Sequence, residues 1–156
     1  MLVTVDEYRL EQAAAMKEAG KGGLQEHVRR LVSGYRSLEA PDTLFYHAWD
    51  SRNSTRGWPD CTIVLPSQGR VIFSELKGPK GRPTWDQVEF LDAFSLLGFE
   101  VYLWRPIHLV DGTIERVLRG GPLPVTQRHL HGGWLEDIGV PGDKYSWPRT
   151  RKEQQR

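Results

Sequence analysis

Two acids and a lysine fall where one small site can be built from them: Asp60, Glu75 and Lys77. Asp60 closes Gly57-Trp58-Pro59-Asp60 and opens the apolar run Cys61-Thr62-Ile63-Val64-Leu65. Glu75 and Lys77 close the next run, Val71-Ile72-Phe73-Ser74-Glu75-Leu76-Lys77. Pro66-Ser67-Gln68-Gly69 between them is turn chemistry, so the two runs predict a β-hairpin. Residues i and i+2 of a strand share a face. Glu75 and Lys77 therefore point the same way, about 7 Å apart at roughly 3.3 Å per residue, and Leu76 points the other way. Magnesium and manganese favour carboxylate, carbonyl and water oxygens. Asp60 and Glu75 suit such an ion, with the Leu76 carbonyl as a third ligand. Lys77 would hold or deprotonate an attacking water and offset phosphate charge. The plain alternative is two carboxylates and a lysine solvated at strand ends.

The surrounding elements must bring these groups together. Thr4-Val5-Asp6-Glu7 is a capping box that predicts a helix to about Ala19, ended by Gly20-Lys21-Gly22-Gly23. A second helix is expected from Leu24 to Leu38, with an apolar stripe of Leu24, Val28, Leu31 and Tyr35. Leu44–Trp49 reads as a short strand, with His47 a half-buried strand residue or, as the minority reading, a proton donor. Thr84-Trp85-Asp86-Gln87 opens a helix to about Leu97, and Phe99–Trp104 is another strand. A helix between two strands is a parallel crossover, so 71–77 and 99–104 are expected as parallel neighbours. Residues 113–118 are expected to be helical.

Cations cluster near the acids. Arg52 and Arg56 precede Asp60, while Lys80 and Arg82 lie in the stiff loop Gly78-Pro79-Lys80-Gly81-Arg82-Pro83. A guanidinium fork matches phosphate oxygens, so these four are candidate DNA-backbone contacts, against the reading of loop charges in water. The loop lacks the spacing and terminal Lys-Ser/Thr of a nucleotide-binding P-loop. His129 and His131 have no convincing zinc-ligand partners.

Composition narrows the field. A chain of 156 residues with 38% hydrophobic content and six tryptophans can build one core and is not fully disordered. The formal net charge is only +1, so nucleic-acid binding must rest on local basic patches. The single cysteine, Cys61, makes an internal disulfide impossible and a reducing cytoplasm the default expectation. No apolar run approaches the ~20 residues of a membrane span, and the N-terminus lacks a signal-peptide pattern, so no membrane association is expected. The chain divides into a helical appendage over 1–22, a core over 23–119, and an irregular basic extension over 120–156.

The motifs also resemble a family. Tyr46-His47, Asp50-Ser51-Arg52 and Ser54, Gly57-Trp58-Pro59-Asp60, Phe73-Ser74-Glu75-Leu76-Lys77, Gly81-Arg82, Gln87 and Gly98 to Pro106 are similar to PD-(D/E)XK nucleases. More narrowly they resemble small stand-alone VRR-NUC proteins of phages and bacteria. The resemblance covers approximately Leu24 to Leu118. It implies an α/β fold, a restriction-endonuclease-like core with a mixed central sheet flanked by helices, and magnesium- or manganese-dependent DNA cleavage. A branched or four-way substrate, as for a Holliday junction resolvase, and a symmetric homodimer are further implications. It also suggests that Gln87 positions Lys77 or the water, whereas Thr84-x-x-Gln87 is by itself a capping box; both readings stand. The family often carries a glutamate on the first core helix. Aligning Leu24, Gln25 and Val28 makes Gln25 the family's helix glutamine and sets Lys21 where that glutamate belongs. Glu26 falls opposite the apolar stripe, and Glu18 would face the site only if a helix ran through Gly20, Gly22 and Gly23. The third acidic ligand is thus unassigned. The expected function is a metal-dependent DNA endonuclease selective for structure rather than sequence. The alternative is a catalytically inactive nuclease-fold module that binds DNA or a protein partner.

Overall fold

Hydrophobic runs of two different periods give this chain a sheet with helices on both faces. The computed structural model describes residues 3–48 and 55–120. The elements are α1 (Val5–Ala15), α2 (Leu24–Leu38), β1 (Leu44–His47), β2 (Cys61–Leu65), β3 (Arg70–Leu76), α3 (Trp85–Leu96), β4 (Glu100–Trp104), α4 (Pro106–Val110) and α5 (Thr113–Arg119). The four strands form one sheet in the order β1-β2-β3-β4. β1–β2 and β2–β3 are antiparallel, and β3–β4 is parallel, as the crossover through α3 predicts. The hairpin between β2 and β3 closes on a 3-10 turn at Pro66–Gln68, ended by Gly69 in the left-handed region at φ 62°.

One face of the sheet carries Cys61, Ile63, Leu65, Ile72, Leu76, Tyr102 and Trp104, packed against Leu24, Val28 and Val32 of α2 and Ile114, Val117 and Leu118 of α5. The opposite face packs Val101 and Leu103 against Val88 and Leu91 of α3. There Phe73 stacks on Phe94 with centroids 4.0 Å apart, and Trp58 meets the edges of Phe73, Phe90 and Phe94. Such aromatic pairs contribute about 0.5–1.5 kcal/mol each beyond the area they bury. The Trp58 ring therefore anchors the segment that leads into Asp60. Gly57 completes that anchor: its φ is +88°, and a Cβ there would collide with the backbone of Asp86.

Several local expectations hold in detail. Both capping boxes, at Thr4/Glu7 and Thr84/Gln87, are formed, and α2 spans Leu24–Leu38. Others need correction. α1 stops at Ala15 rather than about Ala19, because Met16 turns to extended backbone at ψ 122°. Pro106 starts a short helix, α4, that no periodicity announced, and α1 packs against it. Of the extension expected over 120–156, residues 121–156 lie outside the described residues, as do Trp49 and the two histidines 129 and 131. Among the described residues no helix is long and apolar enough to cross a membrane.

Candidate active site

The β2–β3 register pairs Cys61 with Ser74, so extending it by one residue sets Asp60 opposite Glu75. The Leu76 amide donates to Asp60 Oδ2 at 2.8 Å, which fixes the carboxylate against the end of β3. Glu75 is 0% exposed. Its Oε1 accepts from Gln87 Nε2 at 2.7 Å and from Lys77 Nζ at 3.1 Å. Its Oε2 is buried and has no hydrogen-bond donor among the described residues. A carboxylate oxygen so placed, facing a second acid, is costly unless a proton or a cation meets it.

The charges respond to this crowding. Burial first, then the neighbouring Asp60, pushes the Glu75 carboxyl well above the usual carboxylate range. For Lys77 burial acts against the charge, but Glu75, Glu18 and Asp60 outweigh it and hold the ammonium protonated. Lys77 is thus a donor in the metal-free protein, suited to holding a water rather than taking its proton.

A further acid stands beside Lys77, in a place periodicity does not reveal. Glu18 lies beside Lys77, with Asp60 and Arg105 also in its electrostatic range, and its carboxylate accepts from the Gly78 amide. Burial raises its carboxyl above the ordinary range. No helix delivers it. The chain leaves α1, turns through Gly20 (φ +89°) and Gly22 (φ +73°), and is pinned where Leu24 N–H donates to Lys17 O at 2.8 Å and Gln25 N–H to Glu18 O at 3.0 Å. The Glu18 backbone nitrogen lies 3.6 Å from where a Cβ on Gly78 would stand, so the two segments touch. A residue of segment 1–22 thus stands beside Lys77 and Gly78. Lys21 is exposed on the turn, and Glu26 is occupied by the Gly22 amide at 2.6 Å and by Arg30 at 2.6 Å. The glycine cluster was the one available signal, since it frees the chain from helical geometry. Glu18→Gln should weaken Mn2+ binding on the order of 10–100-fold by calorimetric titration. Glu26→Gln should leave it unchanged; the reverse pattern would make Glu26 the acid.

The other expected site residues are placed as follows. Gln87 is a cap, with Oε1 on the Thr84 amide at 2.7 Å, and its Nε2 donates to Glu75 rather than to Lys77. Gln25 enters through its backbone, as above. Arg56 is exposed but pairs with Asp86 Oδ2 at 2.7 Å, at the rim of a cleft of about 290 Å3 whose walls include Asp60, Trp58, Thr84 and Gln87. Lys80 is exposed and Arg82 half-buried. Arg52 lies outside the described residues. His47 is buried at the end of β1, and burial lowers its pKa against the pull of Asp60.

One residue carried no expectation. Arg105 is 2% exposed and donates from Nη1 to the Gly78 carbonyl at 2.7 Å, while its amide is held by His108 Nδ1 at 2.9 Å. The preceding carbonyl, Trp104 O, accepts from Lys77 N–H at 3.0 Å. Two successive residues at the end of β4 thus clamp Lys77 and Gly78. An arginine between an apolar strand and a proline was the only hint in the sequence.

A hard divalent ion suits Asp60 and Glu75, which face each other in the β2–β3 register, and Glu18 stands nearby beside Lys77. Among the described residues no three acidic, histidine or cysteine side chains cage an ion unaided. Carbonyl, water or phosphate oxygens would complete the shell, as is usual for magnesium. No family model, curated protein or solved structure matches the chain.

Proposed function

We propose that the chain is a divalent-metal-dependent deoxyribonuclease of the PD-(D/E)XK, VRR-NUC type, selective for DNA structure, with a restriction-endonuclease-like core. The observation that carries this reading is the fully buried Glu75, held by Gln87 and Lys77, with its free oxygen and Asp60 on the same side of the strand end. Asp60, Glu75 and Glu18, with the Leu76 carbonyl, would hold Mg2+ or Mn2+. Bound there, the ion polarises a phosphoryl oxygen and lowers the pKa of a water. Lys77 orients that water toward phosphorus and offsets charge building on the phosphate. The P–O bond opposite the incoming oxygen breaks, and the leaving alkoxide takes a proton from solvent. Gln87 keeps Glu75 in place, and the clamp from Trp104 and Arg105 keeps Lys77 in place. Lys80 and Arg82 contact the backbone. The mixed sheet with helices on both faces supports the same reading, and a homodimer acting on a branched substrate is part of the proposal.

The test is cleavage of labelled linear, nicked, flapped and four-way DNA with Mn2+, comparing wild type and Asp60→Ala. Wild-type cutting that the variant lacks is the expected result, with the four-way or flapped substrate cut best. DNA bound but uncut by wild type, with either ion, would instead make the chain a nuclease-fold binding module.

A further inference from the structure

The turn that carries Glu18 inward also carries two lysines outward. Residues 17–25 form a closed loop, tied at its base by the hydrogen bonds from Leu24 to Lys17 and from Gln25 to Glu18, and at its tip by Gly23 N–H to Gly20 O at 3.1 Å. Those bonds consume the amides of residues 23, 24 and 25, and Glu26 consumes that of Gly22. The amides of residues 22–25 are therefore spent, and the exposed cationic groups of the loop are its lysine side chains. Lys17 and Lys21 are both exposed, and Lys21 sits at the tip, between Gly20 and Gly22. The nearest loop acid, Glu26, is neutralised by Arg30, and Glu18 is turned toward Lys77 and Gly78. The loop thus presents positive charge to solvent where its backbone meets Gly78, the first residue of the segment bearing Lys80 and Arg82.

We infer that Lys17 and Lys21 form a second phosphate-binding rim, on the N-terminal side of the site, that grips the DNA backbone together with Lys80 and Arg82. This rests on the nuclease reading and names a contact of its substrate. A polyanion entering between the two loops meets lysines on either side, while the acid from one of those loops lies at the reacting phosphate. One short loop so couples backbone grip to ion binding. The residue that stands where an acid was expected is a substrate contact.

The experiment is DNA binding by fluorescence anisotropy across a KCl series, with Ca2+ in place of Mn2+, on wild type, Lys17→Ala/Lys21→Ala, and Arg36→Glu. Arg36 is exposed on α2, 12 residues beyond Leu24 and so about 18 Å along the helix axis, and controls for net charge. Each lost phosphate contact lowers the slope of log K against log salt by about 0.9. The double variant should therefore lose about 1 to 2 from the slope and bind at least ~10-fold more weakly at low salt, with Arg36→Glu at the wild-type slope. A wild-type slope in the double variant, or an equal loss in Arg36→Glu, overturns the rim. Gel cleavage with Mn2+ runs alongside. Cutting by wild type with no slope change in the double variant sinks the rim alone, and a slope change without any cutting sinks the nuclease alone. Absence of wild-type binding sinks both.

Discussion

On the nuclease proposal, Glu75→Gln should abolish cleavage and yet yield a protein at least as stable as wild type. The amide keeps an oxygen for Gln87 Nε2 and Lys77 Nζ, and replaces the orphaned Oε2 with a donor in a pocket of acceptors. It also removes a buried ionisable carboxyl crowded by Asp60. The loss in kcat should be at least about 100- to 1000-fold, the scale of removing one preorganised electrostatic group. The gain in stability should be about 1 kcal/mol, or roughly 2–4 °C in Tm for a domain of this size. The pH dependence follows from the raised carboxyl. Between the ordinary carboxylate range and its folded value, the native state holds a proton that the unfolded chain has released. Metal-free wild type therefore loses stability as pH rises through that window, and the glutamine variant does not. The Tm difference should widen as pH rises above the ordinary carboxylate range. Mn2+ should then raise the Tm of wild type and leave Glu75→Gln unmoved. A variant that cuts at the wild-type rate, or melts many degrees lower, removes Glu75 from the centre of the site.

The opposite signature is expected for Lys77→Met. The methylene stem is replaced almost atom for atom, but Glu75, Glu18 and Asp60 lose the cation that balances them. Removing one partner of a buried pair typically costs about 3–5 kcal/mol, because the remaining charge has no solvent to turn to. Thermal melts at neutral pH should show a loss on the order of 10 °C, shrinking as the pH falls and the acids protonate. Cleavage should vanish as well. The discriminating measurement is the double variant Glu75→Gln/Lys77→Met. It should recover most of the lost stability with no activity, giving a coupling of at least about 1 kcal/mol between the two positions. Additive losses would mean that the ammonium and the carboxylate do not answer to each other.

What the chain disclosed in advance follows its own physical logic. The β2–β3 hairpin, the two capping boxes and the parallel crossover through α3 depend on turn residues and on periods of 2 and 3.6. All of these are written locally. Gln87 was readable as a cap, and its other end meets Glu75, not the Lys77 that the family resemblance named. Glu18 was not readable, because the reading required a helix to deliver it and the delivery is by glycines at positive φ and two carbonyls borrowed by α2. Arg56 looked free to meet phosphate, but its partner Asp86 lies 30 positions away across the site cleft. Arg105 was hidden for the same reason: what it touches, Gly78, is remote in sequence and adjacent only once β4 has paired with β3.

That parallel pairing also sets an order of events during synthesis. The hairpin bearing Asp60 and Glu75 closes over a four-residue connection, 66–69, and needs nothing beyond Leu76. Its formation is a microsecond event available to a growing chain. Lys77 and Gly78 have their anchors only after Trp104 and Arg105 have emerged and β4 has come back across α3 to lie beside β3. A nascent chain therefore carries its acids long before it can use them. On the nuclease proposal, this most non-local pairing in the sheet would be the safety catch, and a partly made or truncated copy would be harmless to the nucleic acid around it.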